Sequence, residues 1–310
     1  MNMRGRLLLA VLPVCCLLSA NLPFGVGQSH RKSFSHSPSR LGKPSTTLKD
    51  VTAVELVHST SRSAVEPFNM TLARYLVVVS RITYDTSLGD ILDLSCRKCR
   101  PYRQQLSGFR LSRTLESVEE DTLAIVGVDQ RLSAIVVAFR GSTTLRNWWN
   151  NLQFLAEPLW SGSPCAGYAP RVHAGFKASY APLRSQLLAE VARLVSHNPG
   201  AKRILVTGHS LGGALSTLAA LDLSAQHPGH QLAMYSFGAP VVGNPAFAQC
   251  YERLVTNSHR VVHRSDVVTT FVPGGFKHVP REHVEFFALR LLPDFFILSH
   301  TMYLGVYCGM

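Results

Sequence analysis

Gly208-His209-Ser210-Leu211-Gly212 sets a serine between two glycines, a pattern that carries chemistry only where a strand runs into it and a helix leaves it. Both flanks are present. Arg203–Thr207 (RILVT) reads as a short, almost wholly apolar strand, and the run LGGALSTLAALDL from Leu211 reads as a helix reaching about Ala225. In such a turn the serine is held in a strained conformation that lifts its hydroxyl clear of the sheet. Gly208 and Gly212 fit because the strand and helix backbones pass close together there. The Leu211 amide opens the new helix and points where a negative oxygen would form. Ser210 is therefore expected to act as an acyl-accepting nucleophile. A chance glycine-serine loop would explain neither the two flanks nor the extra Gly213. His209 adjoins the serine in sequence, but its side chain is expected to project away from the hydroxyl and to pack.

A serine nucleophile needs a base, and the base needs an orienting group. Asp266 opens the loop after the apolar strand Ser258–His263, and active-site loops of open α/β sheets lie at the carboxyl ends of strands. The competing reading is an ordinary turn aspartate. Three histidines follow it: His278, His283 and His300. Other chemistry is sparse. Cys96-Arg97-Lys98-Cys99 lacks the second Cys pair that a zinc site would use, and Arg100-Pro101 follows where a redox pair would open a helix. A local structural disulfide between Cys96 and Cys99 is expected instead. No metal-ligand spacing is found elsewhere, so neither a metal nor another cofactor is expected. Asn69-Met70-Thr71 is a sequon for N-glycosylation.

The elements that must position these groups alternate between types. Met70–Ile82 reads as a buried helix, although its valines admit a strand. Thr122–Asp129 and Ser133–Arg140 read as a hairpin, and Leu183–Ser196 carries apolar residues at helical spacing until Asn198-Pro199-Gly200 ends it. Gln231–Phe237 and Ser258–His263 are the remaining strands. Strands alternating with helices predict an α/β fold with a central, mostly parallel sheet and flanking helices.

Composition bounds the setting. The chain has 310 residues, 46% hydrophobic and 16% charged, with a formal net charge of +12. That is enough for one good-sized core. No Arg/Lys-rich helix is interleaved with stacking aromatics, which argues against nucleic acid as a partner. Arg4 and Arg6 precede the apolar run Leu7–Leu18 and then small residues, as in a secretory signal. The run is too short to span a bilayer comfortably, and an uncleaved anchor is the competing reading. We expect a signal over 1–27, cleaved after Ala20 or Gly27, and no stable membrane span in the mature chain. Removing it takes two arginines and no acid from +12, leaving +10. Residues 28–65, rich in Ser and basic side chains, are expected to form a flexible tail or pro-segment, with the folded domain over 66–310. Export permits disulfides. The exported chain keeps five cysteines, Cys96, Cys99, Cys165, Cys250 and Cys308, so at least one thiol is left over or pairs with another chain.

The ordered set of segments resembles the class 3 lipases, the filamentous-fungal triacylglycerol lipase family of α/β-hydrolase fold. Phe139-Arg140-Gly141-Ser142-Thr143-Thr144-Leu145-Arg146-Asn147-Trp148 looks like that family's oxyanion-and-lid segment. Val172-His173-Ala174-Gly175-Phe176 with Ser179-Tyr180, the serine turn, Gly238-Ala239-Pro240, Val242–Ala248, Asp266 and His300–Tyr303 (His-x-x-Tyr) follow in family order. The likeness covers roughly residues 66–310 and is far more specific than the serine motif alone. It implies a Ser210-Asp266-His300 triad, with His283 the remaining alternative as base and His278 a structural histidine. It also implies an oxyanion hole made by Ser142 and Leu211. The sequence departs from the family in lacking a proline after Ser265-Asp266-Val267-Val268, in the short stretch between His283 and His300, and in Asn151 where the family often has a lid aspartate.

Leu145, Trp148, Trp149, Leu152 and Leu155 fall on one helical stripe. A stripe of this kind usually packs permanently on a core. Its place after the oxyanion segment, and its paired tryptophans, favour a helical lid that opens at a lipid–water interface. The resemblance thus implies a secreted lipase acting on acylglycerols. A feruloyl or short-chain esterase would use the same triad with a more polar lid, and a lipid-binding protein with a dead site would not keep every catalytic position.

Overall fold

Residues along the central strands are apolar on both faces, and the fold explains why. The structure, a computed structural model, describes residues 66–85, 88–143, 155–263, 266–285 and 299–308. The expected signal (1–27), the tail (28–65) and the lid positions Leu145, Trp148, Trp149 and Leu152 lie outside the described residues. The strands are β1 (Phe109–Ser117), β2 (Thr122–Asp129), β3 (Ala134–Phe139), β4 (Ala156–Pro158), β5 (Arg171–His173), β6 (Arg203–His209), β7 (Gln231–Phe237), β8 (Ser258–His263) and β9 (Glu282–Glu285). Seven of them form one sheet in the order β1-β2-β3-β6-β7-β8-β9, with β4 and β5 pairing separately. β1, β2 and β3 are antiparallel, whereas β3, β6, β7, β8 and β9 run parallel.

Helices cover both faces, so alternate residues of each strand enter different cores. Ala124, Val126, Ile135, Val137, Ile204 and Val206 pack beneath α2 (Ala174–His197), α3 (Leu211–Gln226) and α4 (Pro245–Leu254). Their neighbours Leu123, Ile125, Val136, Ala138 and Leu205 pack beneath α1 (Met70–Ile82). α1 begins at Asn69, whose Oδ1 accepts the Leu72 amide at 2.9 Å. α3 is buried continuously from Leu211 to Leu223. Its one buried carboxylate, Asp222, is paired with Arg184 at 2.7 and 3.0 Å and accepts the Tyr180 hydroxyl at 3.0 Å.

The structure departs from the sequence expectation at α2 and β1, and it adds β4, β5, β9 and α4, which the sequence reading does not assign. α2 starts at Ala174 rather than Leu183 and runs through Pro182. A helix-interior proline costs about 3 kcal/mol. Burial of Phe176 and Tyr180 on the same face is worth about 1.5–3 kcal/mol for a side chain of this size, so the added turns offset it. β1 had no sequence signal: only Phe109 and Leu115 of its nine residues are buried, as an edge strand allows. The register places the carboxyl ends of β3, β6, β7 and β8 side by side, with Phe139 opposite Gly208, His209 opposite Phe237, and Phe237 opposite Val261.

Candidate active site

Ser210 sits between β6 and α3 with φ 58° and ψ −129°, a region that L-residues occupy only under constraint. The constraint is backbone packing. A Cβ on Gly208 would collide with the Gly212 carbonyl, and one on Gly212 with the Phe139 carbonyl. One on Gly213 would lie 2.7 Å from the Ala239 Cβ. The Ser210 amide donates to the Phe237 carbonyl at 2.9 Å, fixing the turn to β7. At the first position of α3, the Leu211 amide has no intrahelical acceptor. The loop leaving β3 crosses directly beside the serine, since a Cβ on Gly141 would be 3.1 Å from the Ser210 Cβ. Ser142, half-buried, is the next residue. This loop is held by Asp121, which pairs with Arg140 at 2.5 Å and accepts the Thr143 hydroxyl at 3.1 Å.

Asp266 follows β8 and is fully buried. Its Oδ2 accepts from His300 Nδ1 at 2.7 Å and from the Tyr303 hydroxyl at 2.6 Å, while Oδ1 accepts the Val268 amide at 2.9 Å. Burial alone would raise its pKa. The His300 charge and hydrogen bond, with the two further donors, outweigh burial and hold the carboxyl below the usual range. An ionised carboxylate only accepts, so His300 donates to it from Nδ1, and Nε2 is the ring nitrogen not used by Asp266. That Nε2 and the Ser210 Oγ are both buried, and neither has a hydrogen-bond partner among the described residues.

The other downstream histidines are engaged elsewhere. His278 Nε2 donates to the Thr269 carbonyl at 2.9 Å, and burial, followed by the charge of Arg260, pushes its pKa down to about 4. His283 stacks on Phe68 at 4.1 Å and lies 3.0 Å from His259 Nδ1. Sequence reasoning missed the polar role of His209, whose Nδ1 lies 2.8 Å from the Tyr84 hydroxyl and whose Nε2 lies 2.6 Å from the His300 carbonyl oxygen. It also missed Asp121. Neither contact has a local sequence signal.

Cys96 and Cys99 form the expected local disulfide, and Cys165 joins Cys250 across 85 residues. Cys308 is a buried thiol whose Sγ approaches the Val306 carbonyl at 3.8 Å. Asn69 of the sequon is exposed and caps α1. Leu155, the one described position of the lid stripe, is 62% exposed. Among the described residues no group of three or more His, Cys, Asp or Glu could hold a metal ion, and no helix is long and apolar enough to cross a membrane. A cavity of about 480 Å³ lies at the opposite end of the sheet, lined by Tyr75, Asp129, Arg131 and Arg203. Asp129 there is already used by the Tyr75 hydroxyl and the Leu132 amide, so the cavity is separate from the serine site.

Sheet order, serine turn and buried Asp-His pair together define an α/β-hydrolase. The class 3 lipase family model matches residues 136–276 of the chain. The chain is 33% identical over 217 residues to a lipase of Rhizomucor miehei, covering 66% of this chain and 58% of that protein. Over 204 residues it is 33% identical to the secreted mono- and diacylglycerol lipase A of Penicillium cyclopium, covering 64% of this chain and 63% of the relative. The chain therefore spans about three-fifths of the length of these curated relatives. The solved triacylglyceride lipase of Rhizomucor miehei superimposes with a TM-score of 0.65 at 28% identity, over 77% of this chain and 95% of that one.

Proposed function

We propose that this chain is a secreted serine carboxylester hydrolase that cleaves acylglycerols at a lipid–water interface. The observation that carries this reading is the buried Asp266–His300 pair together with a strained Ser210 whose hydroxyl, like His300 Nε2, is buried and has no hydrogen-bond partner among the described residues. Ser210 Oγ attacks the ester carbonyl as His300 Nε2 takes its proton. Asp266 holds the imidazole in that tautomer and stabilises the imidazolium. The oxygen that gains charge is met by the Leu211 amide and by Ser142, donors in place before the reaction begins. His300 returns the proton to the leaving alcohol, and water then releases the acid by the same path in reverse. No step needs a metal or cofactor.

Relatives named for mono- and diacylglycerols and for triacylglycerols support an acylglycerol substrate, and the leader-like sequence together with a relative named as secreted supports export. The apolar lid stripe supports lipid rather than a soluble ester. A hydrolysis panel tests all of this. It runs from short p-nitrophenyl esters to long-chain mono-, di- and triacylglycerol emulsions and includes a feruloyl ester. Turnover should be highest on an acylglycerol emulsion. Preference for the feruloyl or short soluble ester would replace the lipase reading with an esterase, and binding of lipid without turnover would replace it with a dead site.

A further inference from the structure

We infer that His209 is a positioning residue that locks the backbone of His300 to the serine turn, and that Tyr84 fixes the tautomer in which it does so. The inference rests on the triad reading above. His209 is the last residue of β6 and immediately precedes Ser210, so its backbone is part of the turn that strains the serine. Its ring is fully enclosed, with the His300 ring 4.9 Å away, Tyr303 at 5.8 Å and Tyr84 at 5.9 Å. A residue needed only for filling that space would be apolar. Here both ring nitrogens are used instead.

The partners dictate the protonation pattern. The His300 carbonyl oxygen, 2.6 Å from Nε2, can only accept, so Nε2 carries the hydrogen. Nδ1 is then a bare acceptor, and the Tyr84 hydroxyl at 2.8 Å donates to it. Burial, then the neighbouring His300, push the pKa of His209 down to about 3. The ring can thus donate permanently without carrying a charge that would oppose the imidazolium forming on His300. Tyr84 also packs against Gly141, where an added Cβ would strike its hydroxyl. One chain of contacts therefore joins the oxyanion loop, the turn and the base. His300 is otherwise tied from its side chain by Asp266, and the neighbouring Thr301 carbonyl accepts the Cys308 amide at 2.6 Å. The bond from His209 sets where its backbone lies relative to the serine.

The experiment compares the parent full chain with Tyr84→Phe, His209→Ala and His209→Gln. Three quantities are read: kcat and KM on a short soluble p-nitrophenyl ester, the rate of Ser210 phosphonylation by a p-nitrophenyl phosphonate, and the downfield proton resonance of the His300–Asp266 hydrogen bond. A misplacement on the order of 1 Å can cost about 100-fold. His209→Ala should therefore lower kcat and phosphonylation by roughly 10–100-fold at nearly constant KM, with the downfield resonance broadened or lost. A glutamine amide can still donate to the His300 carbonyl, so His209→Gln should recover most of the rate. Tyr84→Phe removes the hydroxyl that bonds both His209 Nδ1 and the Gly141 backbone, and should lower kcat by about 3–10-fold. Should His209→Ala not fold, Tyr84→Phe decides. A drop in melting temperature with kcat and resonance unchanged in the folded variants would overturn the proposal and leave His209 a packing residue. A parent that is not phosphonylated at Ser210 would instead overturn the triad reading.

Discussion

The serine side and the histidine side of this site are held by different forces. Ser210 is placed by backbone against backbone: Gly208 against Gly212, Gly212 against Phe139, and the Ser210 amide on the Phe237 carbonyl. All of that follows from one strand-turn-helix segment and its neighbouring strands. His300 is placed by polar contacts from residues 34 and 91 positions away, Asp266 and His209. Steric packing tolerates no added atom but needs no charge. A polar assembly tolerates change of shape but fails when one donor or acceptor is lost. The nucleophile should therefore be robust to pH and sensitive to added bulk, and the base the reverse.

The sharpest way to break this contrast is at the serine itself. Ser210→Ala keeps the Cβ and should leave the fold intact while lowering turnover by roughly 10⁴–10⁶. Ser210→Gly should be as inactive yet more stable than the alanine variant, because glycine accepts φ 58° without strain, typically worth about 1–3 kcal/mol before its larger unfolded-state entropy is subtracted. Equal melting temperatures for the two would mean that the turn is not strained. On the other side, Asp266→Asn preserves shape and removes charge, and a loss near 10⁴ in kcat is expected. His283→Ala, which touches only His259 and Phe68 among the contacts described, should keep most activity. If the two results were exchanged, the base would be misassigned.

The oxyanion loop lies between these extremes. Ser142→Ala should lower kcat by about 10²–10³ with KM nearly constant, the usual loss for one preorganised donor. A pure KM effect would place Ser142 in the binding pocket instead.

What could be read from the chain follows the same division. The elements β2, β3, β6, β7 and β8 were legible because both their faces are buried, which makes apolar runs. The serine turn was legible because its determinants are contiguous. β1 was not, since an edge strand with two buried residues has no periodic signal. Nor was the first half of α2, where Pro182 conceals a helix set by distant packing. Tyr84, Asp121 and His209 were missed for a common reason: each acts through a partner between 19 and 125 residues away, and no local pattern announces it.

Acid should expose the weakness of the polar side. His209 and His278 have pKa values lowered by burial to about 3 and about 4, against about 6.5 in the unfolded chain. Their folded values are depressed, so the unfolded state takes up protons that the folded state refuses. Their contribution is complete above about pH 6.5 and is lost as pH falls toward 4. Asp266, also depressed, extends the loss below the ordinary carboxylate range. Melting temperature should thus fall from pH 6.5 to 4, and His278→Gln should flatten part of that slope with kcat at neutral pH nearly unchanged. An unaltered slope would show that His278 is not held neutral by burial.

The smallest expected effect concerns access to both sides together. Leu145, Trp148, Trp149, Leu152 and Leu155 form one apolar stripe in the sequence, placed immediately after the loop that crosses Ser210. If this stripe covers the site in water, opening it exposes aliphatic side chains at about 1.5–3 kcal/mol each, and two indoles besides. At a lipid surface the same groups enter acyl chains and most of that cost disappears. The positive charge of the chain should draw it toward anionic interfaces, an attraction that added salt weakens. Turnover of a long-chain ester should then rise as the ester passes its solubility limit, more so on anionic than on neutral emulsion at low salt. Trp148→Ser with Trp149→Ser should blunt that rise several-fold while leaving kcat on a short soluble ester close to the parent value. If the double variant instead lost activity on the soluble ester, the tryptophans would be part of the packing that holds the oxyanion loop. If it changed nothing, the stripe would be a fixed surface helix, and interfacial preference would have to come from charge alone.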